Sequence, residues 1–140
     1  MRFQKRAAAK SIINNIWKAP SCYNTIHYSC QPFTGNTGDE SPRIISIAIH
    51  RLHDMQSKSF SIHQVAEREK LQGEIEKNYE MLESKMLKEF FLFLDREKHK
   101  EWIHWNMLST TYGFEALAHR HSVLSGDQVD MCSLTYSPFL

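Results

Sequence analysis

The sequence predicts an α/β domain with a mixed sheet, and three stretches carry that prediction. In "RIISIAIHRL", residues 43–52, Ile45, Ile47 and Ile49 alternate with Ile44, Ser46, Ala48 and His50, the period-two pattern of a half-buried strand. Between Glu74 and Arg96 the period changes: Ile75, Tyr79, Leu82, Met86, Leu87, Phe90, Phe93 and Leu94 recur at steps of three and four, as on an amphipathic helix. The apolar run "WIHWNM", residues 102–107, then predicts a buried strand that follows a helical crossover and runs parallel to the first strand of the chain.

The remaining elements fit between these. "YNTIHYSC", Tyr23 to Cys30, holds enough β-favouring residues for a first strand, and Pro32 ends it. "TGNTGDESP", residues 34–42, is a loop on its glycines, proline and small polar residues. After the 43–52 strand, the polar link "HDMQS" and the run "KSFSIH", with Phe60 and Ile62 on one side, complete a β-hairpin. Glu76, Lys77, Glu80, Glu83, Lys85 and Glu89 alternate in sign on the far face of the 74–96 helix and predict a solvated surface. A second helix spans Tyr112 to Leu124 and is closed by Gly126. The predicted order is thus β-β-β-α-β-α.

A chain of 140 residues accommodates one core. We divide it into a basic N-terminal arm or helix (1–20), the α/β domain (21–126) and a C-terminal tail or edge strand (127–140). No apolar run nears the roughly 20 residues of a membrane span. Lys and Arg total 17 against 16 Asp and Glu, so the molecule as a whole lacks the field of an electrostatic nucleic-acid binder, and any such binding must be local. The place for it is the N-terminus, where Arg2, Lys5, Arg6, Lys10 and Lys18 precede the first acid, Asp39. With Ile12, Ile13, Ile16 and Trp17 among them, these cations fit a basic helix docked through its Ile and Trp, and they also fit an organelle transit segment. Cys22, Cys30 and Cys132 form no CxxC pair and are odd in number, which predicts free thiols in a reducing cytoplasm.

From Met86 to Arg120, "MLKEFFLFLDREKHKEWIHWNMLSTTYGFEALAHR" resembles the second part of the DEDD 3′-5′ exonuclease pattern in the ribonuclease H-like superfamily. There a long helix ends in an apolar L..F..F pattern, and the next strand closes on His-Asn before an aromatic-Asp pair opens the following helix. The resemblance covers about residues 23 to 125 and implies a ribonuclease H-like sheet, here stopping short of the further strand and helices with which such domains usually continue. Either Val129, Met131, Leu134 and Tyr136 supply an edge strand, or the chain is a shortened version, and an unfinished edge would invite homodimerisation.

The same resemblance locates the site positions. The acid-x-acid slot of the first strand falls on Ser29 and Gln31, Asn106 matches the family's Asn, and Gly113 follows Tyr112 where an aspartate is expected. Glu115 offers one carboxylate nearby. Two-metal phosphoryl hydrolysis needs several carboxylates around a pair of hard cations, and neutral Ser, Gln and Gly cannot supply them. The expectation is therefore a protein without catalysis and without a resident cofactor, nucleic-acid-associated or regulatory, in which Arg2, Lys5, Arg6 and Lys10 contact the phosphates of a single strand. The alternatives are a protein-protein interaction module and a live exonuclease using Mg²⁺ or Mn²⁺.

Other clusters are read as structural. His119 and His121 are two apart on a helix, and with His99 and His104 they lack the HExxH spacing, which favours a half-buried His104 and surface positions for the rest. His27 and Cys30 are three apart on a strand and face opposite ways, so a thiol and its base are not expected. Trp102, Trp105, Tyr112 and Phe114 are read as core in preference to a base-stacking platform.

Overall fold

The meander in the first half of the chain needs a hairpin whose turn matches the twist of its strands, and the residues after Arg51 provide one. The computed structural model describes residues 1–31, 41–104, 112–131 and 134–138. Within it β1 (Tyr23–Cys30) pairs antiparallel with β2 (Ile44–Arg51), which pairs antiparallel with β3 (Gln56–Ser61). At the β2–β3 turn Asp54 Oδ1 accepts a hydrogen bond from Gln56 N at 3.1 Å, its other oxygen pairs with Arg51, and Met55 takes the left-handed conformation at φ 56°.

The crossover expected after the long helix is present. Following α3 (Tyr79–Arg96), β4 (Glu101–His104) lies parallel to β1, and after α4 (Phe114–Ser125) comes β5 (Thr135–Pro138), parallel to β4. The five-stranded mixed sheet has the order β3-β2-β1-β4-β5. The edge strand expected over Val129 to Tyr136 is thus displaced to Thr135–Pro138.

Several boundaries and faces differ from the sequence reading. The third strand stops at Ser61, whose Oγ accepts from Gln64 N at 3.2 Å and caps a helix absent from the prediction, α2 (Ile62–Arg68). "SIHQ" carries the S-x-x-Q spacing that marks a helix start, so Ile62 packs from a helix and not from a strand. The long helix begins at Tyr79 and not near Glu74, after a short 3₁₀ turn over Gln72–Glu74. In β2 a register shift opposite Ser29 and Cys30 pairs Cys30 with Ile44. That bulge carries Ile44 to the core beside Ile47 and Ile49 and leaves Ile45 only half-buried.

One face of the sheet, carrying Ile26, Tyr28, Ile47, Ile49, Phe60 and Trp102, packs under the helices. Phe60 meets Phe90 and Phe93 edge-on at centroid distances of 5.9 and 5.8 Å, and Trp102 meets Phe114 at 6.3 Å. Such rings contribute roughly 0.5–1.5 kcal/mol per pair beyond their buried area.

Glu83 corrects the solvated-face reading of α3. It is fully buried and accepts from Ile44 N (2.7 Å), Arg120 Nε (2.9 Å) and Arg120 Nη2 (2.6 Å). Arg120 Nη1 reaches Ser41, and Tyr79 Oη donates to Ile44 O at 2.9 Å. One ion pair therefore joins α3, α4 and the start of β2.

Two histidines are more buried than expected. His104 is buried, not half-buried, and lies edge-on to Phe114, while His121 is buried against Phe91 at 5.1 Å and is not a surface residue. Burial holds both imidazoles below the ordinary value of 6.5. Below pH 6.5 the unfolded chain takes up protons that the folded rings resist, so stability falls as pH drops through that value. Thermal midpoints should decline between about pH 7.5 and about pH 5.5, and His121→Phe should flatten the decline. An unchanged slope in that variant would assign the acid sensitivity to other groups.

Candidate functional site

Of the positions singled out by the resemblance, Ser29 and Gly113 lie where the C-terminal end of β1 meets the start of α4, and two tyrosines make the join. Tyr28, inward-facing on β1, stacks on Tyr112 with ring centroids 4.3 Å apart and planes 11° from parallel. Tyr112 Oη donates to Tyr28 O at 2.8 Å, and Gly113 N donates to Tyr28 Oη at 2.8 Å. The first N–H ahead of α4, which a capping side chain would ordinarily satisfy, is thus satisfied by a residue on the sheet.

Gly113 is buried at this join with φ 153° and ψ −165°. That is a mirror-image extended conformation open in practice to glycine alone, and a residue with a Cβ costs roughly 1–3 kcal/mol there. Where the resemblance expects an aspartate, the backbone has a shape that disfavours one. Gly113→Ala should lower stability by about that amount, read as a fall in the thermal midpoint. A midpoint equal to the parent's would show that the backbone relaxes freely.

The other positions are spread around the join. Ser29 is exposed, with its Oγ 3.0 Å from Ser46 Oγ, and Gln31 is half-buried with its N–H on Arg43 O at 2.9 Å. Glu115 is exposed in the first turn of α4. Asn106 and Trp105 lie outside the described residues. The structure therefore brings the end of β1 against Tyr112 and Gly113.

The join is an uncharged one. Burial raises the phenols of Tyr28 and Tyr112 and the thiol of Cys30, so all three stay protonated at neutral pH. His27 Nδ1 lies 3.4 Å from Tyr112 Oη. Among the described residues no three His, Cys, Asp or Glu side chains converge as metal ligands. Hydroxyl, thiol and imidazole groups here can exchange hydrogen bonds, but they do not supply the carboxylate cage that a pair of hard cations requires. Trp102 and Phe114 are fully buried core, in line with their expected role, and Tyr112 is only half-buried.

The arm is a single helix, α1 (Arg2–Lys18), followed by a 3₁₀ turn over Pro20–Cys22 that leads into β1. Its residues 2, 5, 6, 9, 12, 13 and 16 form one stripe at helical spacing. Ile16 alone in α1 is buried, while Trp17 is 62% exposed, so the expected docking through Ile and Trp reduces to Ile16. Arg2, Lys5, Arg6 and Lys10 are all exposed. At about 1.5 Å per residue, Lys5 stands about 16 Å along the axis from Ile16.

Sequence reasoning missed the tyrosine pair, although Tyr28 belongs to the buried alternation Asn24, Ile26, Tyr28 that was there to read. Among the described residues no helix is long and apolar enough to cross a membrane. Compared with protein-family models, curated proteins and solved structures, the chain matches none.

Proposed function

We propose that this chain is a non-catalytic, nucleic-acid-associated protein on a ribonuclease H-like scaffold. The observation that carries the reading is the sheet order β3-β2-β1-β4-β5, with an antiparallel meander feeding two parallel crossover strands, as the resemblance implies. At the end of β1, where that scaffold keeps carboxylates, this chain has Ser29, Gln31 and a Gly113 whose backbone conformation favours glycine. The exposed, acid-free α1 supplies cations for phosphate contact.

The test is a labelled single-stranded oligonucleotide titrated at several salt concentrations. If Arg2, Lys5, Arg6 and Lys10 each neutralise one phosphate, affinity should fall about fifty-fold between about 50 and about 200 mM salt. Binding that ignores salt would remove the phosphate-contacting arm. A parallel incubation with Mg²⁺ or Mn²⁺ should leave the strand at full length, and shortening that Glu115→Gln abolishes would replace this reading with an active exonuclease.

A further inference from the structure

The end of the sheet opposite the Tyr28–Gly113 join holds a second, unassigned feature. There α3 ends, β1 and β4 begin, and the β2–β3 turn closes over them, with Leu52 N donating to Tyr23 O at 3.4 Å. Between the end of α3 and the start of β3 lies a cavity of about 520 Å³, lined by Arg51, Gln56, Lys58, Phe93, Arg96 and Glu97 among others. Its charges are unevenly matched. Arg51 is shared with Asp54, and Glu97 is neutralised by Lys100 at 3.0 Å. Lys58 and Arg96 have no acidic partner among the described residues, and Lys58 lies 5.5 Å over the Phe60 ring.

Across the sheet register from the cavity residue Arg51 stands a buried amide. Asn24 is fully buried, and among the described residues neither its Oδ1 nor its Nδ2 has a hydrogen-bond partner. In the sheet register it lies between Arg51 on β2 and Trp102 on β4, all three on the helix-covered face. Trp102 Nε1 in turn donates to Glu97 O at 3.3 Å. Asn24 is thus the register neighbour of one cavity residue, Arg51, and of Trp102, whose indole bonds the backbone carbonyl of another, Glu97. A buried amide left unsatisfied costs roughly 1–3 kcal/mol, and such a group calls for a ligand or water to complete it.

We propose that this cavity binds a phosphate group, held by Lys58, Arg96 and the second edge of the Arg51 guanidinium, with Gln56 as a neutral donor. The chemistry is that of charge-assisted hydrogen bonds to an oxyanion, which a planar guanidinium and a lysine ammonium both supply. The phosphate belongs either to a nucleic-acid backbone, in which case the site extends the interface begun by α1 at this same end of the sheet, or to a free phosphate ester. The site stands apart from the proposed function, since the second source needs no nucleic acid.

Two probes separate the sources. Inorganic pyrophosphate, titrated by calorimetry, reports a free-ligand site, and a single-stranded DNA oligonucleotide reports a backbone site. Lys58→Glu with Arg96→Glu should weaken whichever probe binds by tenfold or more, and for the oligonucleotide it should cut the salt slope by about 1.4. Lys58→Met with Arg96→Met, which only removes charge, should weaken it less and at low salt most. Both positions are exposed, and a circular dichroism spectrum equal to the parent's checks the fold. An oligonucleotide bound through α1 alone, unaffected by either pair, together with no pyrophosphate binding, would overturn the site and leave the proposed function standing. Binding of neither probe would overturn both, and pyrophosphate binding lost in the charge-reversed pair without any oligonucleotide binding would sustain the site alone.

Discussion

Replacing Arg120 with methionine is expected to cost about 3–5 kcal/mol, because it strands the Glu83 carboxylate in the core with only Ile44 N for company. For a domain of ordinary stability, roughly 5–15 kcal/mol, that loss is a large share of the total. The pair Arg120→Met with Glu83→Gln should recover most of it, since glutamine keeps an acceptor for Ile44 N while removing the buried charge. Urea unfolding of the parent and both variants checks this through the midpoints. Equal losses in the single and double variants would show that guanidinium packing outweighs charge compensation here.

The second large effect is expected at Trp102. Its indole is fully buried, meets Phe114 edge-on and donates to Glu97 O, so it connects β4 with α4 and the end of α3. Trp102→Ala should lower stability by about 3–5 kcal/mol through lost burial and a residual cavity. Trp102→Phe should restore much of the volume and remove one of the two donors to Glu97 O, with Lys100 N remaining at 3.1 Å, at a cost of about 1 kcal/mol. Were Trp102 a base-stacking platform, the alanine variant would weaken oligonucleotide binding with little change in its unfolding midpoint.

The sequence carried the sheet more plainly than the site, and particular residues show why. Alternation in "RIISIAIHRL" and the stepped Leu, Met and Phe residues of α3 report burial directly, because every second or every third-and-fourth side chain must leave water. The bulge at Ser29 and Cys30 has no such signature, and it moved Ile44 to the core in place of Ile45. The helix α2 was announced by "SIHQ" and lost because Phe60 and Ile62 also satisfy a two-residue period. Glu83 was illegible for another reason: its partner is 37 residues away on α4, and nothing local distinguishes a paired buried glutamate from a solvated one. The cavity at the end of α3 draws on β2, β3 and α3, so its cations come together only in three dimensions.

Gly113 has a bearing on descent. If the chain derives from a nuclease, as proposed, a single codon change could restore a carboxylate in the gene, but the new side chain would have to occupy a turn whose torsions suit only an achiral residue. Reversion thus requires the loop to be rebuilt before the chemistry can return, and drift past that point runs in one direction.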